Sequence, residues 1–79
     1  MNSENIFNII CENVKEVLYE LEDQEIKRSD SLANLGANSV DRSEILMMTL
    51  ESIDLDIPLV DTFGPKNIGE LADLLASKM

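Results

Sequence analysis

From Ser3 to about Leu21, apolar residues return at helical spacing. Ile6, Phe7, Ile10, Val14, Val17, Leu18 and Leu21 fall on one arc, with Glu12, Lys15, Glu16 and Glu20 elsewhere. This predicts an amphipathic helix, capped by Ser3 or Asn2, with Glu4 favouring its positive end. From Glu22 to Asn38 the pattern breaks into a long connection. Ile26, Leu32 and Leu35 stand there as apolar anchors among Asp23, Ser29, Asp30 and Ser31, and Gly36 supplies a permissive backbone.

A second helix is expected from about Ser39 to Ile53, with two apolar faces. One carries Ile45, Met48, Thr49 and Ile53 with Leu46 beside them, and the other carries Val40, Met47 and Leu50, interrupted by Ser43. Either both faces are covered by the loop and the other helices, or one is a docking surface. After Asp54, Pro58 prevents simple continuation, and Leu59 to Phe63 has room for one or two helical turns before Gly64 and Pro65. Asn67 with Glu70 three residues later predicts a capping box. It opens a last helix with Ile68, Leu71, Leu74 and Leu75 facing the core. No segment alternates like a strand. The expected fold is all-α, a single-domain four-helix bundle over residues 1–79 with a long first loop and a short third helix.

Charge changes this picture. Sixteen acidic and six basic residues give a formal net charge of -10, which repels nucleic acid and anionic membranes and selects basic partners. The charge also serves solubility, and that reading stands beside the first. There is no histidine and one cysteine, so an intramolecular disulfide, a cysteine-based metal site and a Cys-His nucleophilic pair are all excluded. Asp23, Glu25 and Asp30 lack the spacing of a calcium loop, and no Gly-rich phosphate loop occurs. These absences point away from an enzyme. With the lone Cys11, the lack of a secretory leader pattern and the lack of any membrane-length apolar run, they lead us to expect a cytoplasmic monomer.

The run Leu35-Gly36-Ala37-Asn38-Ser39-Val40-Asp41 places a serine hydroxyl just after a glycine, where a helix opens. Free N–H groups and the helix dipole favour a phosphate ester at such a position. Capping by Ser39 or Asn38 explains the same residues.

The wider pattern resembles the acyl carrier protein family along the whole chain. The residues that carry the resemblance are Leu35, Gly36, Asn38, Ser39, Val40 and Glu44, then Ile57-Pro58, then Asn67-Ile68-Gly69-Glu70-Leu71. The resemblance implies that Ser39 receives 4'-phosphopantetheine from coenzyme A through a phosphopantetheinyl transferase. The arm then carries acyl groups as thioesters. It further implies that Val40, Asp41, Glu44, Met47 and Glu51 meet partner enzymes, with Arg42 and Leu50 on the same surface. Two residues depart from the family pattern. Asn38 replaces the usual aspartate, and Arg42 brings a cation into an acidic helix.

Gly36 to Glu44, Met47 to Ile53 and Ile57 to Val60 resemble a narrower group, the free-standing donor carriers of bacterial polyketide β-branching cassettes. That implies malonyl loading by an acyltransferase and decarboxylation by a ketosynthase-like enzyme. Acetyl is then donated to a hydroxymethylglutaryl-synthase-like enzyme. A carrier of fatty acid synthesis and an acidic adaptor without cofactor are the alternatives.

Overall fold

The computed structural model describes residues 1–79. It contains three α-helices, α1 (Ser3–Val17), α2 (Ser39–Ser52) and α3 (Ile68–Ser77), two short 3₁₀ turns at Tyr19–Leu21 and Leu59–Thr62, and no strand. α1 starts where an asparagine can close it. The Asn2 side chain accepts the Asn5 N–H at 2.8 Å, and the Asn5 side chain returns the contact to the Asn2 N–H. The helix ends four residues earlier than its apolar stripe, because Leu18 leaves helical geometry and the chain tightens into the first 3₁₀ turn. Leu18 is nonetheless buried, whereas Leu21 is only half-buried.

The segment expected as a short third helix is the second 3₁₀ turn, so the four expected helices reduce to three α-helices and this turn. Pro58 precedes it in extended geometry, and Gly64 and Pro65 follow closely. The end of α2 closes by a motif that its sequence conceals. Asp54 takes a positive φ of 55°, Leu55 N–H donates to the Leu50 carbonyl, and Asp54 N–H donates to the Glu51 carbonyl. This is a Schellman arrangement with aspartate in glycine's usual place.

The helices bury one cluster. Ile6, Ile10 and Val14 of α1 meet Ile45, Leu46, Leu50 and Ile53 around α2, and Ile68, Leu71, Ala72 and Leu75 of α3 complete it. Each fully buried isoleucine contributes about 1.5–3 kcal/mol relative to exposure. Leu74, expected in this core, is half-buried. One polar contact crosses the interior. Asn13 donates to the Thr49 hydroxyl at 3.0 Å, and that hydroxyl donates to the Ile45 carbonyl at 2.8 Å. No buried side-chain polar atom is left unpaired.

The long loop is fastened to the start of α3. Ile68 and Gly69 donate their N–H groups to the carbonyls of Asp30 and Arg28, each at 2.9 Å, so loop carbonyls satisfy two amides that the helix itself leaves free. Only glycine fits at position 69, where a Cβ would lie 2.9 Å from the Arg28 Cβ. The Arg28 guanidinium stands 5.5 Å from the Phe7 ring centroid and donates to Asp73, the Gly69 carbonyl and Ser3.

Hydrogen bonds from Ser3 and Arg28 hold the Asp73 carboxyl below its ordinary value of 3.8. A carboxyl depressed in the folded state stabilises the fold above its unfolded pKa and loses that contribution as pH falls through the folded value. Urea unfolding at stepped pH should therefore show wild type more stable than Asp73→Asn near neutrality, with the gap closing below about pH 3.8. A gap independent of pH would refute the assignment. Asn13→Ala should cost about 0.5–1.5 kcal/mol, because it removes one buried hydrogen bond while the Thr49 hydroxyl keeps its bond to the Ile45 carbonyl. Equilibrium denaturation against Thr49→Val and the double variant measures the coupling.

Candidate functional site

The site forms where the loop ends and α2 begins. Ser31 to Leu35 make one turn, in which Leu35 N–H donates to the Ser31 carbonyl, and Ala37 N–H then reaches the Leu32 carbonyl. Gly36 reverses the chain between them at a φ of 101°, a region that a side chain would strain. Ala37 is buried and fixes the exit of the loop. Asn38 then caps α2. Its side chain accepts the Asp41 N–H at 2.8 Å, and the Asp41 carboxylate accepts the Asn38 N–H at 3.3 Å.

Of the two caps that the sequence offers, the structure uses Asn38. Asn38 does the capping, so the Ser39 hydroxyl is left exposed at the first position inside the helix. A phosphate ester there lies at the positive end of the α2 dipole, a placement worth about 0.3–1 kcal/mol at an exposed helix end. Asn38 also needs no carboxylate for its structural role, since asparagine and aspartate cap equally well.

Arg42 folds back over the same turn and donates to the Ala37 carbonyl at 2.8 Å. Beside Ser39 opens a cleft of about 520 Å³, walled by the end of the loop, α2, the second 3₁₀ turn and the start of α3. Leu32, Leu46, Ile68 and Leu71 supply its apolar floor, and Phe63 lies at its outer side with 59% of its surface exposed. An exposed hydroxyl next to a cleft of small-molecule size suits a tethered arm. In α3, Asn67 accepts the Glu70 N–H, but Glu70 accepts from Lys66 rather than from Asn67, so half of the expected capping box is displaced by one residue.

The outward side of α2 carries most of the expected contact residues. Val40 is 71% and Met47 54% exposed, Glu44 and Glu51 are exposed, and Asp41 and Arg42 are half-buried by their roles at the helix start. Leu50 is a correction. It is 9% exposed and belongs to the core, because it follows the buried Leu46 by one helical turn and is drawn in with it. The face of Ile45, Leu46, Thr49 and Ile53 is thus the core face, and Met48 is half-buried at its margin. Val60, 64% exposed on the second 3₁₀ turn, and Phe63, 59% exposed, were not singled out in the sequence, where they stand only as members of a short apolar run.

Cys11 does not join this site. Burial pushes its thiol upward, with Lys15 opposing and Asp30 and Glu12 adding to the shift, so the thiolate is scarce at neutral pH.

The profile of the phosphopantetheine attachment site family matches residues 8–75, and the chain belongs to that family, whose members carry 4'-phosphopantetheine covalently. It is 46% identical over 79 residues to the polyketide biosynthesis acyl-carrier-protein AcpK of Bacillus subtilis (strain 168), across 100% of this chain and 96% of that protein. It is 32% identical to the acyl carrier protein of Prochlorococcus marinus (strain MIT 9515), across 99% of this chain and 98% of the relative. Its structure is similar, with a TM-score of 0.96 and 47% identity, to a chain from the crystal structure of the curacin biosynthetic pathway HMG synthase in complex with acetyl donor-ACP. That likeness covers 99% of this chain and 100% of the other.

Asn38→Ala should destabilise the fold by about 0.5–2 kcal/mol, whereas Asn38→Asp should leave it nearly unchanged. Thermal unfolding of the two variants checks this. A loss in Asn38→Asp equal to that in Asn38→Ala would show that the cap is not what position 38 supplies.

Proposed function

We propose that this chain is the acetyl donor of polyketide β-branching, carrying its acyl group on a phosphopantetheine arm at Ser39. The observation that carries the reading is the free, exposed Ser39 hydroxyl at the α2 start, in a chain so similar to the acetyl donor-ACP of an HMG synthase complex. When bound, the arm supplies a thiol whose thioester is a better electrophile than an oxygen ester. The chain's own residues do the rest. Asn38 and Asp41 set the helix end that presents Ser39, and Val40, Met47, Glu44, Glu51, Asp41 and Arg42 form the surface that enzymes read.

In this reading a phosphopantetheinyl transferase installs the arm and an acyltransferase loads malonyl. A ketosynthase-like enzyme decarboxylates malonyl to acetyl, and a hydroxymethylglutaryl-synthase-like enzyme receives the acetyl. The chain is a carrier and not an enzyme, and it works in the cytoplasm. The two exposed apolar side chains on α2 are ringed by Glu44 and Glu51, which suits a partner with an apolar contact surrounded by basic residues. Arg42 departs from that rule and asks for an acidic group opposite it, which separates true partners from those of a uniformly acidic carrier.

Incubation with coenzyme A and a phosphopantetheinyl transferase should add the mass of one arm to wild type and nothing to Ser39→Ala. Met47→Asp should accept the arm but lower acetyl transfer to the HMG-synthase-like enzyme about tenfold, equivalent to about 1.4 kcal/mol. Intact-mass and transfer assays read the two steps separately. An arm appearing on Ser39→Ala, or full transfer by Met47→Asp, would overturn the respective assignment.

A further inference from the structure

The cleft beside Ser39 differs in charge from the rest of the molecule. Sixteen of the 79 residues are acidic, yet none of the 14 that line this cleft is, and two of the chain's six cations, Arg42 and Lys66, stand in its walls. Neither is neutralised, because the one ion pair in the structure joins Arg28 and Asp73. Arg42 is steadied by the Ala37 carbonyl, and Lys66 is engaged only through its backbone N–H, which donates to Glu70. Ser31, Ser43, Thr62 and Asn67 add hydroxyls and an amide to the lining. The shallower depression beside Met47 has the opposite character, with Glu51, Asp54 and Asp56 and no cation.

We propose that the Ser39 cleft holds the carried acyl unit while it bears a carboxylate and releases it once decarboxylation leaves the unit neutral. This rests on the carrier reading above. An oxyanion can reach the cleft from two sources, the phosphodiester at Ser39 and a carboxylate at the far end of a short acyl group. The phosphodiester is fixed at the start of α2, one turn from Arg42. Lys66 stands across the cleft on the segment leading into α3 and is the cation available to the cargo. In a chain with net charge -10, the walls beside Ser39 hold two unpaired cations and no carboxylate, so a carboxylated cargo tethered there is drawn to the cleft.

Decarboxylation breaks the bond between the α-carbon and the carboxylate. Carbon dioxide leaves, the electron pair remains on the α-carbon, and a proton from the decarboxylating enzyme completes the methyl group. The acetyl thioester keeps no charge for Lys66 to hold and too little apolar surface to replace that attraction on the floor of Leu32, Leu46 and Ile68. It swings free toward the next enzyme. Charge on the cargo thereby orders the two reactions, and the cleft selects short carboxylated acyl units over neutral ones of the same length.

The test uses ¹⁵N-labelled full-length protein bearing the arm, alone or linked through a stable amide to malonyl or acetyl. Malonyl should shift the backbone amide signals of Ser31, Phe63, Lys66 and Asn67 relative to the unloaded arm, and acetyl should leave them in place. Lys66→Glu should abolish the malonyl-specific shifts, and Lys66→Gln should reduce them. The malonyl and acetyl forms of wild type decide the matter without relying on either variant. Equal shifts with acetyl would overturn the proposal in favour of a neutral cargo site. Signals identical in the unloaded and malonyl forms would overturn it by assigning both cations to the phosphodiester. These outcomes leave Ser39 as the attachment point, whereas failure of wild type to accept the arm would overturn the carrier reading and this inference together.

Discussion

The contact between the long loop and the first turn of α3 is the constraint from which the site follows. Gly69 lets the Arg28 backbone come close enough for the Arg28 and Asp30 carbonyls to receive the two leading amides of α3. A loop joining residues 22–38 would otherwise lose little by moving, since most of its side chains are exposed. Fastened there, it delivers Leu32 to the core and Ser31 to the cleft wall, and it hands Gly36 and Ala37 to the start of α2 in one conformation. The Arg28–Asp73 pair adds little as an exposed ion pair. Its value is that the same guanidinium also meets Phe7, Ser3 and the Gly69 carbonyl, so three parts of the chain share one anchor.

What was legible in the sequence followed from local rules. The stripes of α1 and α3 have a single apolar face each, and their helices lie where the stripes place them, apart from the last turn of α1. No glycine or proline marks Leu18 as an end, because the helix stops through a change in the course of the chain and not through a breaker residue. α2 was ambiguous for a definite reason. Val40, Ile45, Leu46, Met47, Met48, Leu50 and Ile53 surround much of its circumference, and only the positions of α1 and the loop decide that Leu50 turns inward while Met47 stays out. The serine was visible as a position but not as a free hydroxyl, since that depends on Asn38 and Asp41 closing the cap without it. The cleft was least visible, as its walls come from segments far apart in the chain.

In the proposed carrier, two kinds of recognition share one short helix without competing. The exposed residues of α2 offer apolar contact and acidic charge to partner proteins, and the net charge steers basic ones toward them. The turn that carries Ser39 faces a different task in that proposal, because a phosphodiester attached there is anionic and has to be tolerated by an acidic molecule. The helix dipole, the absence of carboxylates from the cleft walls and the unpaired Arg42 and Lys66 provide a local exception to the global field.

That exception explains why Arg42 sits where it does. A cation farther out on α2 would weaken the acidic face, and one deep in the core would lose its solvation without a partner. At position 42 the guanidinium is half-buried, one turn from Ser39, with one of its donors already satisfied by the Ala37 carbonyl. Its remaining donors are held near Ser39 at little further cost in side-chain entropy, since the bond to Ala37 has already selected the rotamer. A residue that departs from the acidic pattern of the helix thus serves the helix start and the cleft wall from one position, beside the surface proposed for partners.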